Sequence, residues 1–86
     1  MEEQQTDFVK LLVSAVVKSP ESVEVNRTVD EQGILFHIIV ASGDMPLVIG
    51  RQGNNIKAIA LIVRLYGRKS GESMNLRVEE PNGIRR

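Results

Sequence analysis

The sequence predicts an α+β fold: one three-stranded mixed sheet with helices packed on one face, in the order α-β-β-α-α-β. Three observations predict it. Apolar residues recur at helical spacing near the N-terminus and again after residue 54. Three other segments alternate apolar and polar residues with a period of two. The first two of these are joined by a tight turn, which makes them antiparallel, while two helical segments separate the second from the third, as a parallel crossover requires. A chain of 86 residues holds one modest core. The single domain is expected over 6–80, between a flexible N-terminus at 1–5 and a flexible basic tail at 81–86.

The first helix is expected from Thr6 to Ser19. Phe8, Leu11, Leu12, Ala15 and Val16 carry its period, and Thr6 or Asp7 can cap its start. Ser19-Pro20 stops it, because proline disfavours helical geometry in the residue before it. Val9, Val13 and Val17 widen the apolar stripe beyond one buried face. Val23, Val25 and Val29 then alternate with Glu24, Asn26 and Thr28 as a half-buried strand, Asp30 to Gly33 turns, and Ile34 to Ala41 is a second strand. If Val29 faces Ile34, then Val25 faces Ile38 and Val23 faces Val40. That register puts Ile34, Phe36, Ile38 and Val40 on the core face and Leu35, His37 and Ile39 on the other.

Asp44 reads as the cap of a short helical turn carrying Leu47, Val48 and Ile49, with Pro46 tolerated near its start. After Gly50-Arg51-Gln52-Gly53 another helix is expected from Asn54 to about Tyr66, closed by Gly67, with Arg68 and Lys69 near its negative end. Ile56, Ile59, Ala60 and Val63 suffice to cover the sheet. Ala58, Leu61, Ile62, Leu65 and Tyr66 remain on the flank, for the first helix or a partner to cover. Met74, Leu76 and Val78 form the third strand, which Pro81 ends.

Charge and composition narrow the function. Eleven basic and eleven acidic side chains cancel, yet they are segregated. Residues 1–50 carry three basic and eight acidic groups (−5), and residues 51–86 carry eight basic and three acidic (+5). Between Arg51 and Lys69 every charge is positive. The absence of cysteine excludes disulfides and thiolate metal sites. No stretch approaches the roughly 20 apolar residues of a membrane span, and the acidic start is unlike a secretory signal. The expected compartment is the cytoplasm. Aromatic residues are too few for a protein that holds single strands mainly by stacking. Catalysis is not expected, nor any cofactor or metal. His37 is the only histidine and reads as a partly exposed strand residue, and phosphate-loop and dinucleotide fingerprints are absent.

The informative stretch is Val48-Ile49-Gly50-Arg51-Gln52-Gly53-Asn54-Asn55-Ile56. Two glycines flank two polar residues where one helical turn gives way to the next helix. Glycine there allows a tight reversal and a close backbone approach. The free N–H groups at the following helix start suit a phosphate, and Arg51 adds a fixed positive charge. A G-x-x-G tetrad alone serves equally as a helix–helix corner. Lys57, one turn from Gly53, is a further candidate. Arg64 and Arg68 share its line on the helix but read as a solvated face.

In its full context the V-I-G-x-x-G-x-x-I string resembles the KH domain, whose GXXG loop clamps about four nucleotides. With a helix and strand ahead of the shared core it resembles the type II arrangement, and as a lone domain it is similar to small bacterial single-KH proteins of the KhpA family. The resemblance implies single-stranded RNA as partner, with Gly50, Arg51, Gln52 and Gly53 at the backbone; Asn54 and Lys57 are expected to bind beside them. It further implies Leu47, Val48, Ile49 and Ile56, with Ile39 or a neighbour, as apolar walls. Many such loops have two basic central residues; here the second is Gln52. An RNA chaperone or post-transcriptional regulator is implied. It would act as a homodimer or with a larger KH-containing partner of the Jag family, through an interface near Ile62, Leu65 and Tyr66. The competing expectation is a protein-interaction module that keeps the fold as a dimerising scaffold.

Overall fold

The computed structural model describes residues 2–79, so the basic tail expected at 81–86 lies outside the described residues. Helix α1 spans Glu2–Ser14, strand β1 Glu24–Asp30, β2 Gly33–Ile39, helix α2 Met45–Ile49, α3 Asn54–Lys69 and β3 Met74–Glu79. Single 3₁₀ turns occupy Pro20–Ser22, Ser42–Asp44 and Arg51–Gly53. β2 is central, antiparallel to β1 and parallel to β3. Val29 opposes Ile34 and Val25 opposes Ile38, the register that the hairpin sequence predicts.

The sheet is apolar on one side only. Ile34, Phe36, Ile38 and Val40 are buried there with Met74 and Val78, under Val9 and Val13 of α1, Val48 of α2, and Ile59 and Val63 of α3. Phe36 and Ile38 lose all contact with water, and burying side chains of that size stabilises the fold by about 1.5–3 kcal/mol each. Alternation sends Asn26, Thr28, Leu35, His37, Ile39, Asn75, Arg77 and Glu79 to the far face.

Helix α1 departs from its expected bounds. It begins at Glu2, so residues 2–5 belong to the helix rather than to a loose N-terminus, and it ends at Ser14 instead of Ser19. Long-range bonds set both limits. Gln5 Nε2 donates to Glu72 Oε1 at 2.9 Å, and Arg27 Nε donates to Gln5 Oε1 at 2.9 Å, which ties the first turn down. At the other end the N–H groups of Lys18 and Ser19 donate to the two carboxylate oxygens of Asp44, at 3.2 and 3.0 Å. The chain must leave the helix to make those bonds. Asp44 is only 3% exposed and makes no side-chain cap on α2, contrary to the role its position suggests. Two backbone donors offset the desolvation of its buried carboxylate. The anchored helix turns Val9 and Val13 into the core and leaves Leu11 and Val16 exposed, although the expected stripe contained the latter pair.

Helix α3 also outruns its expected end. Gly67 is internal and buried, because the helix presses against the start of β3 there. A Cβ on Gly67 would stand 2.7 Å from Met74 Cγ and 2.8 Å from the Glu72 carbonyl oxygen. The stop comes at Gly71, in the left-handed region at φ 75°. Its N–H donates to Arg68 O at 3.0 Å, and Glu72 N–H donates to Gly67 O at 2.8 Å, the paired bonds of a Schellman ending.

Gly67→Ala therefore sets two effects in opposition. Helix propensity favours alanine by about 1 kcal/mol, whereas overpacking against a backbone carbonyl costs about 1–3 kcal/mol. The variant is expected to unfold at lower urea than wild type, and a midpoint at or above wild type would refute the close-contact account. Gly43→Ala, whose Cβ would meet nothing within 4 Å, is the matched control.

Candidate functional site

The segment from α2 into α3 is built around reversed backbone. Gly50 N–H closes α2 by donating to Pro46 O at 2.8 Å. Gly50 then adopts φ 77°, ψ 174°, a region open in practice only to glycine. Gln52 follows at φ 56°, ψ 24°, and Gly53 at φ 78°, ψ 14°, both left-handed. For Gln52, a residue with a Cβ, that conformation costs about 1–2 kcal/mol. Gly53 N–H donates to Gly50 O at 3.1 Å, and Asn54 N–H donates to Arg51 O.

Those bonds leave two donors over. Among the described residues the N–H groups of Arg51 and Gln52 have no protein acceptor. Both residues are exposed, at the positive end of a 16-residue helix that carries Lys57, Arg64, Arg68 and Lys69 and no acid. Free N–H groups, a helix dipole and a guanidinium converge on one exposed loop, an arrangement that binds an anion. Asn54 and Lys57 are exposed beside it, and Gly50 and Gly53 are half-buried.

The apolar residues expected as walls divide. Leu47, Ile49 and Ile56 are half-buried and border the loop, while Val48 is wholly buried and belongs to the core. Val48 is thus not a wall; its helical position turns it under the loop towards the sheet. Ile39 lies on the sheet face away from the core, so it shares no wall with Ile56.

At about 100° per residue, the exposed side of α3 separates into two flanks. Lys57, Arg64 and Arg68 lie along one. There Arg64 Nε and Nη2 donate to Asn75 Oδ1 on β3, at 3.4 and 3.3 Å. Ile62 and Leu65 lie towards the other flank, 42% and 52% exposed, with Leu61 between the two at 57%. Tyr66, expected with Ile62 and Leu65, is already engaged: its ring stacks on Phe8 of α1 with centroids 4.4 Å apart. Since Gln5 reaches Glu72 and Phe8 reaches Tyr66, α1 and α3 run antiparallel.

The far sheet face holds Thr28, His37 and Glu79 in the order hydroxyl, imidazole, carboxylate. His37 lies 3.4 Å from each partner, at the long end of hydrogen-bond distances. Thr28 Oγ1 also donates to Leu35 O at 3.4 Å. The three are diagonal neighbours across strands, a polar ladder of the kind that joins strands. No group of three or more His, Cys, Asp or Glu among the described residues could hold a metal, and no helix among them is long and apolar enough to cross a membrane.

One residue of the loop carries no signal in composition or charge. Asn55 Nδ2 donates to Leu47 O at 2.8 Å, and a Cβ on Gly50 would come within 2.5 Å of Asn55 Cγ. A polar side chain at the second position of a helix, five residues after a glycine, is the only trace of it in the sequence. The two glycines consequently differ. Gly50→Ala meets both a forbidden conformation and Asn55, and is expected to destabilise the fold by about 3 kcal/mol or more. A Cβ on Gly53 would meet nothing closer than Lys57 Cε at 3.8 Å, so Gly53→Ala is expected to cost only about 1–2 kcal/mol. Urea unfolding of both variants checks the order, and equal losses would count against it.

Comparison with known proteins adds what geometry alone cannot. Residues 6–78 match the family model described as KhpA/KhpB, KH domain. The RNA-binding protein KhpA of Clostridium perfringens is 32% identical over 68 residues, covering 79% of this chain and 91% of that one. The RNA-binding protein KhpA of Caldanaerobacter subterraneus is 40% identical over 58 residues, covering 67% and 77%. Among solved structures, Aquifex aeolicus Era bound to GDP and aluminium fluoride superposes with a TM-score of 0.62 at 20% identity. The match covers 90% of this chain and spans 30% of the Era chain, and at that identity it speaks to fold alone. The type II KH fold, the G-x-x-G loop and a family match over nearly the whole chain agree, and the chain belongs to the KhpA/KhpB KH-domain family, which is not a family of enzymes.

Proposed function

We propose that the protein binds single-stranded RNA through the loop Gly50–Gly53, in the bacterial cytoplasm. The observation that carries this reading is the pair of unpartnered N–H groups at Arg51 and Gln52, exposed beside a guanidinium at the start of α3. The printed name of its relatives, RNA-binding protein KhpA, supports it. In this mechanism the two N–H groups and Arg51 hold phosphate, and Lys57 extends the contact along the strand. Asn54 borders the same backbone, and Leu47, Ile49 and Ile56 offer apolar contact to the bases. Phosphate contacts fix position without reading sequence, so preference for particular nucleotides is loose.

A single small site of this kind binds modestly, and pairing two raises affinity through effective concentration. Ile62 and Leu65 supply the surface for that pairing, whether with a second copy or with a larger KH-containing protein of the Jag family; the family description, which joins KhpA and KhpB, favours such a partner. Tyr66 contributes by holding α1 against this surface. Because Ile62 lies about 120–160° round the helix from Lys57, Arg64 and Arg68, association centred on Ile62 leaves the basic flank open. Work as an RNA chaperone or post-transcriptional regulator is the role that the family resemblance implies. The second reading, a protein-interaction module with little RNA binding, draws its support from the exposed Leu61, Ile62 and Leu65.

Changing Arg51 and Gln52 together to Asp is expected to reduce affinity for labelled single-stranded RNA about tenfold or more. The slope of log affinity against log salt should fall by about 0.7 for the lost phosphate contact. Folding, followed by circular dichroism, should persist. Unchanged affinity would leave only the interaction-module reading. Ile62→Asp tests the pairing separately: light scattering should report monomer while affinity for a short single-site RNA stays constant. A mass unchanged from wild type would remove Ile62 from the interface.

A further inference from the structure

We infer that Asn55 is the positioning residue of the loop: its side-chain amide ends α2 and so frees the N–H groups that meet the RNA backbone. The inference rests on the RNA reading above, yet it makes a claim about the unbound protein that stands by itself.

Had α2 continued past Ile49, the carbonyl of Leu47 would accept from Arg51 N–H, four residues on. That bond would take away one of the two donors left over for an anion. Asn55 Nδ2 donates to Leu47 O at 2.8 Å in its place. The carbonyl is satisfied from the side, the helix has no reason to extend, and Arg51 N–H stays free.

Packing makes the same point independently. The Asn55 side chain occupies the space where a Cβ of residue 50 would project, 2.5 Å from Cγ and 2.8 Å from Cβ. Gly50 can take φ 77°, ψ 174° only because it has no side chain. Asn55 and Gly50 are therefore complementary halves of one turn. The chain reverses over the Asn55 side chain, and Gln52 is carried into its left-handed conformation on the far side. Asn55 is exposed and directs one of its two amide N–H donors to Leu47 O, and in this role it acts on RNA through the loop.

Two substitutions separate shape from hydrogen bonding without altering charge. Asn55→Leu keeps a branched side chain of similar size and removes the donor. Asn55→Ala removes both. Amide chemical shifts and hydrogen exchange at Gly50 to Gly53 are measured without RNA, well below the unfolding temperature. Affinity for single-stranded RNA is then titrated over a range of salt. In both variants the Arg51 and Gln52 amides should shift and affinity should fall about five- to tenfold, as the loss of one hydrogen bond suggests. The salt slope should match wild type, because no charge is lost. A purely structural role would lower the unfolding midpoint and leave loop shifts and affinity alone, and that result would overturn the inference. So would wild-type affinity in Asn55→Leu while the Arg51, Gln52 double variant loses binding. Wild-type affinity in all three variants together with displaced loop amides would instead refute RNA binding at this loop, while the displaced amides would still support the role of Asn55 in shaping the unbound turn.

Discussion

The sheet has one apolar face, and covering it dictates most of what else the molecule can be. Phe36 and Ile38 sit at the centre of β2 with no exposure to water, so both sides of that strand's core surface must be roofed. With α1 and α3 antiparallel above them, Val9 and Val13 come down on one side and Ile59 and Val63 on the other. Only about half of α3 is used in this way. Its other half stays outside, and the outer half carries the exposed charge and the surplus apolar side chains. A helix that is roof on one side and surface on the other is ordinarily amphipathic; the exposed Leu61, Ile62 and Leu65 on the outer half are what set this one apart.

Strands were legible because their signal is local. The alternation of Val25 and Val29 and the length of the turn before Ile34 fix the register with no help from distant residues. Ile56, Ile59 and Val63 likewise announce their face by spacing. Helix α1 failed that treatment because Phe8, Val9, Leu11, Leu12 and Val13 spread over about 200° of its circumference, and a period cannot single out one face of so wide an arc. Its ends are chosen by Gln5 and Asp44, whose partners lie 67 and about 25 residues away. No local rule reads such pairs. Gly67 misled for a related reason: as a helix-ending glycine it fits, yet the approach of Met74 requires it and Gly71 makes the turn.

At the loop the glycines and Arg51 were visible and the arrangement that makes them useful was not. Val48 looked like a wall because it is apolar and adjacent, but burial assigns it to the core. Asn55 looked like any polar helix residue. Its importance lies in a hydrogen bond back across the turn and in the space it fills beside Gly50, and both are facts of three dimensions.

The stack of Phe8 on Tyr66 has a practical consequence. The chain contains one tyrosine and no tryptophan, so its near-ultraviolet emission comes almost wholly from a single ring. That ring lies at the junction of α1 with α3, several turns from Gly53. Tyrosine fluorescence and near-ultraviolet dichroism of the unlabelled protein therefore report whether the N-terminal helix is docked. In the protein free of nucleic acid they do so without an added probe.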